Sequence, residues 1–170
     1  MLKFIYEIYG GNNMNKRRLC CFYVSDIHLI TMLLPYINER INKSTKVITI
    51  LENDMSGSAN KVINAIQGKK SDELLAIDWK NKDLKYLYEL DIENKLILIS
   101  GTDEFIKNAN RIINNRGEKC EILDCYEMTQ GSDRLEQILD KHEMVVNTTG
   151  EKNPNEVFMS YKYKPKSYVI

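Results

Sequence analysis

Two histidines, one tryptophan, three prolines and eight glycines are spread thinly over 170 residues. So little proline and glycine excludes a collagen-like or linker-rich chain. With only His28 and His142 available, a Ser-His-Asp or Cys-His arrangement has little to build on, because its nucleophile needs a base beside it. Neither H-E-x-x-H nor G-x-S-x-G occurs, so the zinc-protease helix and the nucleophile elbow are both missing. Net charge is lacking too, since 24 Lys and Arg balance 24 Asp and Glu. A dedicated nucleic-acid binder normally carries a basic excess, and attachment to anionic lipid by charge needs a basic cluster. No apolar run approaches the ~18–20 residues that span a bilayer. The opening Met1–Tyr9 is broken by Lys3 and Glu7 and has no signal-peptide cleavage pattern. These absences lead us to expect a cytoplasmic protein with no membrane contact and no nucleic-acid partner.

Hydrophobic residues make up 43% and charged residues 28%, an ordinary globular mixture long enough for one sizeable core. Cys20, Cys21, Cys120 and Cys125 show no C-x-x-C spacing. In a cytosolic chain they are read as buried free thiols, and no metal site is assigned.

From residue 19 onward, short apolar runs alternate with amphipathic segments at intervals of about 25 residues. Residues 19–24, 46–51, 95–100, 119–124 and 144–147 read as strands, and 74–78 as a weaker third strand in the series. Helices are expected after each. The first carries Ile27, Ile30, Leu34, Ile37 and Ile41 on one stripe, with Ser25 or Asp26 as its cap and Pro35 as a kink or a late start. The others run over about 59–67, 82–90 and 102–116, with a last one after Gly131 and Ser132. Such alternation implies an α/β fold, a three-layer Rossmann-like or flavodoxin-like, mainly parallel sheet with helices on both faces.

The ends depart from this pattern. Residues 1–13 read as an N-terminal edge strand or an extension preceding an α/β domain over 14–152; a rival expectation starts the chain at Met14. Residues 156–163 alternate in polarity, and five of the ten tyrosines lie in the two end segments. Residues 153–170 are therefore expected to add antiparallel strands. The basic runs Lys16-Arg17-Arg18 and Lys162, Lys164 and Lys166 read as solvated edges that resist strand pairing.

In an open parallel sheet, ligands sit beyond the carboxyl ends of the strands. That rule selects Ser25, Asp26, Asn53, Ser100, Gly101, Thr102, Asn147, Thr148, Thr149 and Gly150 as candidate ligand-binding residues, with Asp54, Asp78 and Asp124 as carboxylates of the same rim. The list is polar and short-chained, as a small polar ligand requires, and also as any set of caps and turns would be. Ser100-Gly101-Thr102 opens a helix whose free N–H groups suit an anion, although Asp103 and Glu104 oppose one. It has neither the three glycines of a dinucleotide fingerprint nor the G-K-[ST] of a P-loop. Asn147–Gly150, with Lys152 behind, suits phosphate or ribose, or else forms a turn into the C-terminal segment.

The run Leu19-Cys20-Cys21-Phe22-Tyr23, through Leu34-Pro35-Tyr36-Ile37 to Lys46-Val47-Ile48-Thr49-Ile50, resembles the opening of MEDS sensory domains. Leu19 stands where that family has a His, and Arg40-Ile41 where it has Gly-Leu. Asn147-Thr148-Thr149-Gly150-Glu151-Lys152 is similar to the Asn-x-Thr-Gly-Gly-Thr-Lys-like loop of CARF-type nucleotide-sensing domains, with Glu151 in place of the second glycine. The first resemblance implies an α/β sensor related to RecA-like folds without a working phosphate loop, the second a Rossmann-like sheet, and both imply sensing rather than catalysis.

The expectation is a non-enzymatic ligand-sensing or regulatory domain that binds a small polar or nucleotide-like ligand at the strand ends. No catalytic residue is assigned and no cofactor is identified. Two alternatives stand beside it. One is a small metal-dependent enzyme acting on a nucleotide or phosphorylated substrate through Asp54, Asp78 or Asp124. The other is an interaction module, a homodimer for example, built on the terminal strands.

Overall fold

The computed structural model describes residues 15–128 and 133–157. Six strands form one sheet: β1 (Lys16–Tyr23), β2 (Val47–Leu51), β3 (Leu96–Ser100), β4 (Cys120–Glu127), β5 (Met144–Asn147) and β6 (Gly150–Lys152). Their order is β2-β3-β4-β1-β5-β6. All pairings are parallel except β5 with β6, which is antiparallel. The α/β sheet expected from the alternation is thus present, mainly parallel with an antiparallel edge.

Helices α1 (Asp26–Asn42), α2 (Ser56–Ala65) and α3 (Asp72–Leu75) cover one face. There they bury Leu19, Cys21 and Tyr23 of β1, Leu51, Leu96, Leu98, Leu123 and Cys125. A 3-10 segment (Leu84–Tyr88) and α4 (Asp103–Asn114) cover Ile50, Ile97, Ile99 and Ile122 on the other face. Beside them α5 (Asp133–Asp140) packs Leu135, Ile138 and Leu139 on Cys20 and Val145. Every residue of β3 is buried, because helices lie over both its faces. All four cysteines are buried free thiols.

Several local expectations need correction. The strand expected at 74–78 is not one. Ser71 caps the short α3 by accepting from the Leu74 N–H (3.1 Å), and the chain then runs along the open edge of β2. Thr49 donates to the Asp78 carbonyl, Met55 N–H to the Trp79 carbonyl (2.8 Å), and Lys82 N–H to the Leu51 carbonyl (2.8 Å). This segment hides an edge strand without joining the ladder. The helix expected at 82–90 shrinks to the 3-10 segment.

Helix α1 runs unbroken through Pro35, which lies on its exposed side, so the carbonyl four residues back faces water. Its buried set is wider than one stripe. Leu29, Met32, Leu33 and Tyr36 are buried as well, because α2 lies alongside, whereas Ile27 is 42% exposed. Lys16-Arg17-Arg18 is the start of the central strand rather than a solvated edge. Lys16 is buried and donates to the Arg116 (2.5 Å) and Glu118 (3.0 Å) carbonyls. Of the end segments, residues 154–157 form a helical turn where strand was expected from 156. The edge strand or extension expected over residues 1–13 and the rest of 156–163 lie outside the described residues, as do Lys162, Lys164 and Lys166.

Candidate functional site

The crossovers part at the carboxyl rim. After β1 and β2 the chain turns to the α1–α2 face, and after β3 and β4 it turns to the α4–α5 face. In the order β2-β3-β4-β1 the loops therefore part at the β2–β3 border and again at the β4–β1 border, the switch-point arrangement that leaves a crevice in open α/β sheets. A cavity of about 250 Å³ lies there, lined by Tyr23, Asn53, Gly101, Thr102, Asp103, Glu127 and Arg134.

Its buried wall is a pair of hydroxyls. Tyr23, on the last residue of β1, shares a hydrogen bond of 3.0 Å with Ser100 Oγ at the end of β3. Burial pushes the Tyr23 phenol up to about 12, so it stays protonated at neutral pH.

Glu52, one residue beyond β2, fixes the opening turn of α4. Its carboxylate accepts from the Thr102 N–H (2.6 Å) and from the Thr102 hydroxyl (3.3 Å). Thr102 Oγ1 in turn accepts from the Phe105 N–H as the helix cap (3.2 Å). The anion favoured by the positive end of α4 is thus supplied by the chain itself. Gly101 permits this approach: a Cβ there would stand 2.6 Å from a Glu52 carboxylate oxygen and 2.8 Å from Glu52 Cβ. Arg134 donates from Nη2 to Asp103 Oδ1 (2.6 Å), while its Nε is buried without a partner.

Of the residues selected from the sequence, Asn53, Gly101 and Thr102 line the cleft and Ser100 lies behind Tyr23. Ser25 and Asp26 start α1, where Ser25 Oγ accepts from the His28 N–H (3.2 Å) and neither residue lines the cavity. His28 Nδ1 accepts from the Val24 N–H (3.1 Å) and is committed locally. Asn147, Thr148, Thr149 and Gly150 make the tight turn between β5 and β6. Asn147 Oδ1 accepts from both the N–H (2.9 Å) and the hydroxyl (2.8 Å) of Thr149, and Gly150 takes φ +104°. Only glycine adopts that backbone readily.

Of the rim carboxylates, Asp54 and Asp78 stay close enough to interact electrostatically, and Asp124 parts from them. Asp54 accepts from the Ser56 N–H (2.8 Å) and hydroxyl (2.5 Å), which hold its carboxyl below the usual range. Asp78 is held low chiefly by Lys82. Asp124 does not reach the rim at all: β4 continues to Glu127, which leaves Asp124 fully buried in mid-strand.

Tyr23, Glu52, Glu127 and Arg134 were not among the candidates. Tyr23 and Glu52 adjoin chosen positions, but attention to short loop side chains passed over them. Glu127 was missed because the expected strand ended at Asp124, three residues short of the end of β4, and nothing local marks Arg134. A larger cavity, about 590 Å³, lies at the opposite ends of the strands near Lys16, Arg17, Arg40 and Glu121. Arg17 pairs there with Glu151 and with Glu121 (3.0 Å), and Arg40 with Glu121, although Arg40 Nε is buried without a partner among the described residues.

Comparison with protein-family models and with curated proteins found no match. Among the described residues, no helix is long and apolar enough to cross a membrane.

Proposed function

We propose that this chain is a sensory or regulatory α/β domain that binds a small polar ligand, without catalysis, in the cleft above β1, β3 and β4. The observation that carries the reading is the cleft itself. It lies where the crossovers part, the exposed Asn53 amide and Glu127 carboxylate in its lining make no side-chain hydrogen bond among the described residues, and Arg134 spends only Nη2, on Asp103. Such groups on a pre-formed cavity wall suit reversible recognition. The MEDS-like residues 19–51 supply β1, α1, β2 and Tyr23, and so agree with a sensing role. The enzymatic alternative loses support because Asp124 is buried away from the rim and Asp54 and Asp78 are spent on neighbouring groups.

The test is thermal denaturation with panels of amino acids, nucleotides, phosphates and sugars, followed by NMR mapping of any hit. A ligand at ~100 times its Kd stabilises by about 2.7 kcal/mol, and the amides that shift are expected to be those of Tyr23, Asn53, Thr102 and Glu127. Absence of stabilisation by every panel, or shifts confined to another surface, would overturn the proposal.

A further inference from the structure

Within that reading, and resting on it, the geometry points to the ligand class: we infer that the cleft takes a small zwitterion of the α-amino acid type, its ammonium on Glu127 and its carboxylate on Arg134. Size is the first constraint. About 250 Å³ falls below the ~300–1,000 Å³ of ordinary ligand pockets and suits a metabolite smaller than a nucleotide.

Charge is the second constraint. Asp103, Glu127 and Arg134 line the cavity and Glu52 stands beside it on Thr102, but two of these three carboxylates are already satisfied. Glu52 is spent on Thr102, and Asp103 on Arg134 Nη2. Glu127 is exposed and keeps a carboxylate with no hydrogen bond or ion pair among the described residues, and Arg134 keeps Nη1, which makes none there either. One unspent anion and one partly unspent cation in the same small cavity match a ligand that carries both charges. A phosphate fits poorly. The N–H it would seek at the start of α4 is covered by Glu52, and the surplus of negative charge repels it. The Asn53 amide, donor and acceptor at once, can serve either end of a zwitterion.

The experiment is isothermal titration calorimetry on the full chain with the proteinogenic amino acids, the decarboxylated amine and the deaminated acid of any that bind, ATP and inorganic phosphate. An amino acid is expected to bind, with its amine-only and acid-only analogues weaker by about tenfold or more, since each leaves one charge contact unmade. Glu127→Gln and Arg134→Gln are expected to weaken it similarly. Both side chains reach the surface, and thermal denaturation of the unliganded variants verifies that they fold. Amino-acid binding that neither substitution weakens overturns the assignment. ATP or phosphate binding in the cleft without amino-acid binding overturns the zwitterion but leaves ligand sensing intact. Absence of binding by any of these probes, together with failure of the broader thermal panels, removes both.

Discussion

Asp124 shows how much one buried side chain can organise. It lies on β4 with no exposure, accepts from Asn110 Nδ2 of α4 (2.8 Å) and meets His142 Nε2 just beyond α5 (2.7 Å). Arg18 of β1 stands at 3.6 Å from the same carboxylate. The other ring nitrogen of His142 faces the Ile138 carbonyl at 2.6 Å. Both ring nitrogens are therefore committed, and the imidazole has none left to activate a nucleophile. The cluster ties two helices to two central strands, and its cost of desolvation is offset only while every partner is present. Asp124→Ala leaves His142, Asn110 and Arg18 facing an empty acceptor site, and a loss of about 3–5 kcal/mol is expected. Urea denaturation measures it as a lower midpoint at unchanged slope. A loss below about 1 kcal/mol, the net worth of one ordinary hydrogen bond, would show that the cluster is not holding the helices. The sequence places Asp124 at a strand end because a charged residue interrupts the apolar run there; Cys125 and Tyr126 beyond it continue the strand, and their apolar character was not weighed.

At the scale of elements, β6 is the least expected piece and has a clear anchor. Glu151, the residue that departs from the CARF-like loop, pairs with Arg17 of β1 and accepts from the Tyr36 hydroxyl of α1 (2.8 Å). The hydrogen bond from Arg17, with a smaller one from Tyr36, holds the Glu151 carboxyl below its usual range against the opposing effect of burial. A folded-state carboxyl held low contributes stability above the unfolded value of about 4.3 and loses it as pH falls through the folded value. Glu151→Gln is therefore expected to be less stable than the parent near neutral pH. The gap should close as pH drops below about 4, where the parent carboxylate protonates. Chemical denaturation of both proteins across pH 3–7 checks this, and a pH-independent gap would assign the effect to packing. Apolar runs and helix caps were legible: Ser25 and Thr102 cap their helices as read, and β1, β2, β3 and β5 lie within a few residues of expectation. Residues 74–78 misled because a short apolar run has the same composition whether it pairs in a sheet or packs beside one. Its partner, the edge of β2, is distant in sequence and invisible to local periodicity.

For the molecule as a whole, the strand order was beyond reach for a related reason. Strands such as Leu96–Ser100 are apolar on both faces, so nothing in their pattern selects a neighbour. What the alternation did convey was a shared rim, and the order β2-β3-β4-β1 turns that rim into a cleft between loops that diverge. The same sheet joins the two helical layers. β1 and β4 contribute Leu19, Cys21, Leu123 and Cys125 to one face and Cys20, Cys120 and Ile122 to the other. Neither layer can lose its packing without exposing strands that the other depends on, which predicts one cooperative transition. Trp79, 4% exposed and packed in the α1–α2 layer, is the single tryptophan and reports on that layer alone. Far-ultraviolet circular dichroism sums over helices on both faces. Denaturant curves followed by Trp79 fluorescence and by circular dichroism are expected to superimpose, with one midpoint and one slope. Fluorescence change that precedes the loss of helix would show that the layer carrying Trp79 opens first, and that the sheet does not couple its two faces as its central strands require.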